Sequence, residues 1–72
     1  MAPRLDLHGV RHEDVRRACD KFMTKIWGRS SEAFIITGNS TQMRNLVMTV
    51  LTDYDVDVNV SLQNSAVLRV QL

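Results

Sequence analysis

Two short stretches of the sequence combine polar side chains with glycine at points where an apolar strand pattern ends. The first holds Asp6, His8 and Gly9, and the second runs through residues 37–41, Thr-Gly-Asn-Ser-Thr. Histidine takes up and releases protons near neutral pH, and an aspartate two residues earlier can orient its imidazole. Glycine lets a backbone approach closely, and the N–H groups at a helix start attract phosphate. The two stretches therefore predict binding of a phosphate-bearing ligand, with proton transfer at His8.

Each of these residues also has a structural interpretation. A His-Gly pair at a strand end is often only a turn, and Asp6 fits the solvated face of a strand. Ser40 or Thr41 can cap a helix and do nothing else. Both stretches have the same polar character in a short chain, and this favours the functional interpretation.

The periodicity of the chain predicts the elements that hold these stretches. Residues 4–8 alternate as a short strand, and the apolar run at 33–37 predicts a second strand. Helical spacing follows each strand, with apolar stripes at Val15, Ala18, Cys19, Phe22 and Ile26 and at Met43, Leu46, Val47, Val50 and Tyr54. The first helix is expected to end near Gly28. Residues 56–62 and 66–72 alternate around a turn at 63–65, which predicts a terminal hairpin.

This order, β-α-β-α-β-β, predicts one α/β domain over residues 1–72. Right-handed connections put both helices on one face of a mixed four-stranded sheet, in a two-layer sandwich. If the first two strands run parallel, the loops after them open at the same edge, where open α/β sheets bind ligands. The segment 66–72 has little proline or charge to protect it as an edge strand. A homodimer through this hairpin edge is therefore one expectation.

Composition limits the classes of function. The chain has 72 residues, 44% of them hydrophobic and 24% charged, as in a folded globular domain. Cys19 is the only cysteine, which excludes an internal disulfide and zinc sites built from several cysteines. No apolar run approaches the about 20 residues of a membrane span. A cytoplasmic location and no membrane partner are expected.

Basic residues are concentrated in the first part of the chain. Residues 1–29 hold seven Lys and Arg, and residues 30–72 hold two, while the net charge is only +1. Attraction to nucleic acid must then come from a patch. We interpret Arg11, after the first stretch, and Arg44, one turn into the second helix, as binding residues. The rest of the first helix is expected to be solvated, and Trp27 to be a packing residue at its end.

The sequence resembles a known family at both stretches. The segment "LDLHG", residues 5–9, is followed by a helix and an apolar strand that leads into "TGNS", residues 37–40. This pattern is similar to the Smr domain, the small MutS-related domain, over essentially the whole chain. The resemblance implies a domain like the C-terminal domain of translation initiation factor three. It also implies action on DNA or RNA, as an endonuclease in some members.

The resemblance implies roles for individual residues. Asp6 and His8, the Asp-x-His of the first motif, would be catalytic, and the second motif is usually His-Gly-x-Gly or Thr-Gly-x-Gly. Ser40 departs from it by replacing the second glycine, and its side chain can crowd a phosphate or hydrogen-bond one. The expected contacts to nucleic acid are Gly9, Arg11, Thr37, Gly38, Asn39, Ser40, Thr41 and Arg44.

Two functions stay open from the sequence. The leading one is a nucleic-acid-binding domain with endonuclease activity, in which the 2′-hydroxyl of RNA is the natural nucleophile. DNA would need an activated water, on Mg²⁺ or Mn²⁺ held by Asp6, although one aspartate and one histidine are few ligands for a metal. The alternative is a non-catalytic adaptor or inhibitor that keeps the fold and the phosphate affinity. It would contact a protein partner through the hairpin or through acidic residues 53–57.

Overall fold

A computed structural model of the chain describes residues 2–61 and 64–72. The strands are β1 (Arg4–Asp6), β2 (Glu32–Ile36), β3 (Asp57–Val60) and β4 (Val67–Gln71), and the helices are α1 (Val15–Ile26) and α2 (Thr41–Leu51). This is the β-α-β-α-β-β order expected from the sequence. A 3-10 turn over His12–Asp14 precedes α1, and the α-helix itself begins at Val15, the first residue of its apolar stripe.

The strands form one mixed sheet in the order β1-β2-β4-β3. β1 and β2 run parallel, and β4 is antiparallel to both of its neighbours, β2 and β3. The parallel pairing confirms that the loops after β1 and β2 leave the sheet at the same edge. The expectation that residues 66–72 form an edge strand is wrong, because β4 has a hydrogen-bonded neighbour on each side. A dimer through the hairpin edge would have to use β3.

The core lies between one face of the sheet and the two helices. On β2 and β4, Ala33, Ile35, Leu68 and Val70 are fully buried, while the residues that alternate with them are more exposed. The helices contact each other and bury most of the predicted stripes, including Val15, Cys19, Phe22, Met43 and Val47. The second stripe was expected to reach Tyr54, but α2 ends at Leu51 and Tyr54 is partly exposed beyond it. The molecule is therefore the expected two-layer α/β sandwich, and its sheet has a second face outside the core.

Cys19 is part of this core. Its side chain is fully buried, and this burial raises the pKa of the thiol to about 11. The thiolate is the reactive form of cysteine, so the position fits packing rather than chemistry.

The C-terminal ends of the two helices meet at the edge of the sheet opposite the loops that follow β1 and β2. α1 ends at Ile26, two residues before Gly28, as the sequence predicts. Trp27 is 51% exposed and contacts the Tyr54 ring at a centroid distance of 6.0 Å, so it packs less completely than expected. The Tyr54 hydroxyl donates to Asp20 Oδ1 at 2.8 Å, and this bond raises the pKa of the phenol. Within the described ranges, no helix is long and apolar enough to cross a membrane.

Candidate nucleic-acid interface

The first polar stretch forms a tight turn at the end of β1. The backbone N–H of Leu7 donates to the Ile36 carbonyl at 2.9 Å, which extends the pairing of β1 with β2 by one residue. The N–H of Val10 then donates to the Leu7 carbonyl at 3.0 Å, closing a four-residue turn. Its third residue, Gly9, has φ +82°, the conformation that a type II turn requires there. The strand end thus demands glycine at position 9 and leaves His8 exposed at the corner.

Asp6 stabilises this turn through the backbone. Its Oδ1 accepts the backbone N–H of His8 at 2.9 Å, so the carboxylate holds the peptide that carries the histidine. The sequence predicted that Asp6 would orient the imidazole ring itself. In the described part of the chain, the hydrogen bond of Asp6 goes to the main chain instead. Asp6 is therefore placed as a positioning residue for His8.

The second polar stretch is anchored by Thr37. The N–H groups of Thr37 and Gly38 donate to the Ala66 carbonyl at 2.8 and 3.1 Å. The Thr37 hydroxyl lies 3.0 Å from the Gly38 carbonyl oxygen and 3.2 Å from that of Ala66, and the residue is only 4% exposed. A direct contact between Thr37 and nucleic acid, as predicted, does not fit this burial. Its polar groups tie the loop after β2 to the β3–β4 hairpin.

Gly38 leaves space above this loop. Its φ is +70°, and a Cβ built on it would have no heavy atom within 4 Å. Asn39 and Ser40 follow with exposed side chains. A ligand can therefore approach the backbone of Gly38 without displacing protein atoms.

Ser40 is the N-cap of α2. Its Oγ accepts the backbone N–H of Met43 at 3.1 Å, which is the capping bond that the sequence allowed for either Ser40 or Thr41. The serine that departs from the expected motif is thus explained by the helix it starts. The N–H groups of Thr41 and Gln42, in the first turn, have no acceptor within an α-helix. The first turn of α2 holds no acidic residue, so its positive end attracts anions.

A third turn, which the sequence did not bring into the site, meets the other two. The N–H of Val67 donates to the Asn64 carbonyl at 3.1 Å, and that of Ala66 donates to Asn64 Oδ1 at 3.0 Å. Because β4 is antiparallel to β2, this turn lies beside the end of β2. We call the edge formed by residues 8–9, 37–40 and 64–66 the rim. The sequence predicted a turn at 63–65 but not its position beside the end of β2, which depends on strand order.

Arg44 connects α2 to the third turn. Its Nη2 donates to the Ser65 carbonyl at 2.8 Å, and its Nε is buried with no hydrogen-bond partner among the described residues. The sequence assigned Arg44 to phosphate binding. In the structure its guanidinium links α2 to the β3–β4 hairpin, so it is less free to move toward a ligand.

Arg11 remains an exposed cation near the rim. Its Nη1 lies 3.6 Å from Glu13 Oε1, and both side chains are more than 70% exposed, so the pair is weak. Glu13 and Asp14 precede α1 and make the start of that helix less attractive to a phosphate than the start of α2. The most favourable anion site of the rim is therefore the loop into α2, with His8 in the neighbouring turn after β1.

The residues present do not fit a metal centre. Within residues 2–61 and 64–72, no three His, Cys, Asp or Glu side chains lie close enough together to hold a metal ion. Asp6, a carboxylate next to the rim, already accepts a backbone N–H. The Mg²⁺ or Mn²⁺ site considered from the sequence has no such ligand set in the part of the chain that the structure describes.

No family model matches the sequence, and neither the curated proteins nor the solved structures give a match. The similarity of the two motifs to the Smr domain therefore stays a prediction from the sequence. What the rim can do follows from its own geometry.

Proposed function

We propose that this protein is an Smr-like domain that binds nucleic acid at the rim. The observation that carries the proposal is the parallel pairing of β1 and β2, with the Leu7–Ile36 hydrogen bond at its end. This pairing puts the His8-Gly9 turn beside the Gly38-Asn39 turn. A phosphate at the start of α2 would then have the exposed histidine next to it.

The backbone provides most of the proposed phosphate site. The N–H groups in the first turn of α2, which have no acceptor within the helix, and the space above Gly38 favour an anion that approaches the main chain. The Asn39 side chain is exposed beside them, and Arg11 adds an exposed positive charge. Contacts of this kind read the phosphate chain rather than its sequence.

Cleavage of RNA is the chemistry that His8 would support. The 2′-oxygen of a ribose would attack the adjacent phosphorus, and the bond from phosphorus to the 5′-oxygen would break, leaving a cyclic phosphate and a 5′-hydroxyl. His8 would accept the proton of the 2′-hydroxyl or protonate the leaving oxygen. Asp6 would hold the His8 peptide in place, and the start of α2 would stabilise the charge on the phosphate.

A non-catalytic adaptor is the second candidate function, and a specific observation favours it. The polar groups of Asp6, Thr37 and Ser40 all serve the fold, as turn, anchor and helix cap. In the described rim, His8 is then the one imidazole, the group that could transfer a proton. Cleavage of RNA moves two protons, one from the 2′-hydroxyl and one to the leaving oxygen, and would gain from a second such group. Binding is therefore better supported than cleavage. The cytoplasmic location expected from the sequence stays a prediction.

A gel assay with labelled nucleic acid separates the two candidates. Purified protein is incubated with branched DNA, duplex DNA and structured RNA, with and without Mg²⁺ or Mn²⁺. His8→Ala removes the exposed imidazole at the rim, and His12→Ala removes an exposed imidazole in the 3-10 turn as a matched control.

A nuclease loses cleavage in His8→Ala, keeps much of its binding, and is unchanged in His12→Ala. An adaptor binds in all three forms and cleaves in none. Binding by none of the three forms to any substrate would refute the proposed function.

A further inference from the structure

The sheet has a second face, which the helices do not cover. The strand register places one residue from each strand in a row across it: Arg4, Phe34, Arg69 and Asn59. Residues opposite each other in neighbouring strands lie on the same face. Arg4, Arg69 and Asn59 are exposed, and Phe34 is partly exposed. We call this surface the open face; it carries an aromatic ring on a central strand with an arginine on either side.

A pocket lies on the open face beside Phe34. It has a volume of about 230 Å³ and is lined by apolar Phe34, Ile36 and Val67 and by polar Arg4, Ser61 and Asn64. This is below the about 300 Å³ at which pockets for drug-sized ligands begin. Its size and its mixed lining suit one planar ring system that has a polar or charged group attached.

The charges on the open face favour a ligand that brings an anion to Arg4. Arg69 Nε donates to Glu32 Oε2 at 2.7 Å, so that arginine is already neutralised. No salt bridge joins Arg4 to another of the described residues. Of the remaining carboxylates on this face, Asp6 accepts the His8 N–H, and Asp57 is in the row farthest from the rim. The positive charge next to the pocket is therefore that of Arg4.

The pocket is continuous with the rim. Ile36 is followed directly by Thr37, and Val67 is preceded directly by Ala66, so two of its apolar lining residues are chain neighbours of rim residues. A polymer whose backbone is held at the rim would pass over the pocket as it leaves. On the open face, the row of Arg4 and Phe34 lies next to the row of Asp6 and Ile36, on the side away from the rim.

We propose that the open face binds a single-stranded segment of the nucleic acid, with one unpaired base stacked on Phe34 and a phosphate at Arg4. The proposal rests on the proposed function, because it takes nucleic acid as the ligand, and it names the form of that ligand. A base within a duplex is covered by its neighbours, whereas an unpaired base can stack on an aromatic side chain. The open face would thus select single strands or the unpaired ends of a structured substrate.

The test compares three probes of one length on the full chain: a single strand, a duplex of the same sequence, and a strand without bases. Affinity is measured by fluorescence anisotropy for the wild type and for Phe34→Leu, which keeps an apolar side chain and removes the ring. Trp27→Leu is the matched control, since it removes an exposed aromatic ring at the opposite edge. Phe34→Tyr, which keeps the ring, and Arg4→Gln, at an exposed position, complete the set.

We expect Phe34→Leu to weaken single-strand binding about tenfold. Duplex binding and binding of the strand without bases should be unchanged. Phe34→Tyr and Trp27→Leu should bind as the wild type does, and Arg4→Gln should weaken binding to the single strand and to the strand without bases alike. If Phe34→Leu does not fold, the Phe34 ring and Ile36 methyl resonances of the wild type give the same answer, because they should shift with the single strand only.

Four results would overturn the inference. Equal effects of Phe34→Leu on all probes would refute base stacking. Shifts of rim amides without shifts at Phe34 would refute the open-face site while leaving the proposed function intact. Shifts of Phe34 that follow protein concentration and not nucleic acid would show that a second copy covers the face. Failure of every probe to bind the wild type would refute the proposed function as well.

Discussion

Substituting Gly38 separates the contribution of the rim to stability from its contribution to binding. The residue has φ +70°, and an added Cβ would meet no atom within 4 Å, so the cost to the fold is that of the backbone conformation alone. For an L-residue this conformation costs about 1–2 kcal/mol, and the stiffer unfolded chain offsets about 0.4–1 kcal/mol. With values near the middle of both ranges, the net loss in the free energy of unfolding for Gly38→Ala should be about 0.5–1 kcal/mol.

For a domain of this size, that loss corresponds to a decrease in Tm of about 2–8 °C, measurable by circular dichroism. Gly38→Asn should lose less, because asparagine tolerates the left-handed region. Both variants place a side chain in the space where a phosphate chain would approach. One charge-assisted hydrogen bond is worth about 1.5–3 kcal/mol. Both variants should therefore bind an oligonucleotide at least about tenfold more weakly than the wild type does, whatever their Tm.

Gly28 offers a matched control at the opposite edge of the sheet. It has φ +77° and the same open space around an added Cβ. Gly28→Ala and Gly28→Asn should change Tm as the Gly38 variants do and leave the affinity unchanged. Wild-type affinity in Gly38→Asn would refute close approach at the rim. Equal loss of affinity in the Gly28 and Gly38 variants would mean that affinity falls because the fold is less stable, and not because contact at the rim is lost.

Three further predictions concern single residues. Ser40→Ala removes the cap of α2 and should lower the free energy of unfolding by about 1 kcal/mol in chemical denaturation, whereas Ser40→Asp should keep most of that stability; no loss in Ser40→Ala would contradict the capping role. Asp6→Asn keeps an acceptor for the His8 N–H and should retain stability and any cleavage, whereas Asp6→Ala should lower both. Loss of cleavage in Asp6→Asn with unchanged stability would mean that the carboxylate charge acts directly. Burial raises the pKa of Cys19 to about 11, above that of an unfolded thiol. The free energy of unfolding should therefore fall as pH rises from about 9 to 11, by at most about 3 kcal/mol. Cys19→Ala should remove this pH dependence, and a dependence that persists in the variant would show that another group causes it.

The parts of the fold that were predicted are those set by local pattern. Alternation and helical spacing placed the elements in order, and chain chemistry identified Ser40 as a possible cap and Gly28 as the end of α1. The shared edge of the two polar loops needed only the parallel pairing of β1 and β2. These features depend on residues that are close in sequence or on the handedness of strand connections.

The features that were missed depend on strand order, which no local pattern encodes. Placing β4 between β2 and β3 removed the expected edge strand and brought the Asn64-Ser65 turn to the rim. The same arrangement buries Thr37 against Ala66 and engages Arg44 with Ser65. Residue type alone made Thr37 and Arg44 look like binding residues because hydroxyl and guanidinium groups serve both purposes. Leu62 and Gln63, in the predicted hairpin, lie outside the described residues.

The proposed function requires the turns after β1 and β2 to act together on one anionic backbone. It is tested most directly by titrating labelled protein with oligonucleotide and following the amide resonances of Gly9, Gly38 and Asn39. We expect these three signals to shift together and to saturate at one concentration, while Gly28 at the opposite edge stays in place. Shifts confined to one of the two turns, or equal shifts at Gly28, would contradict the proposed function.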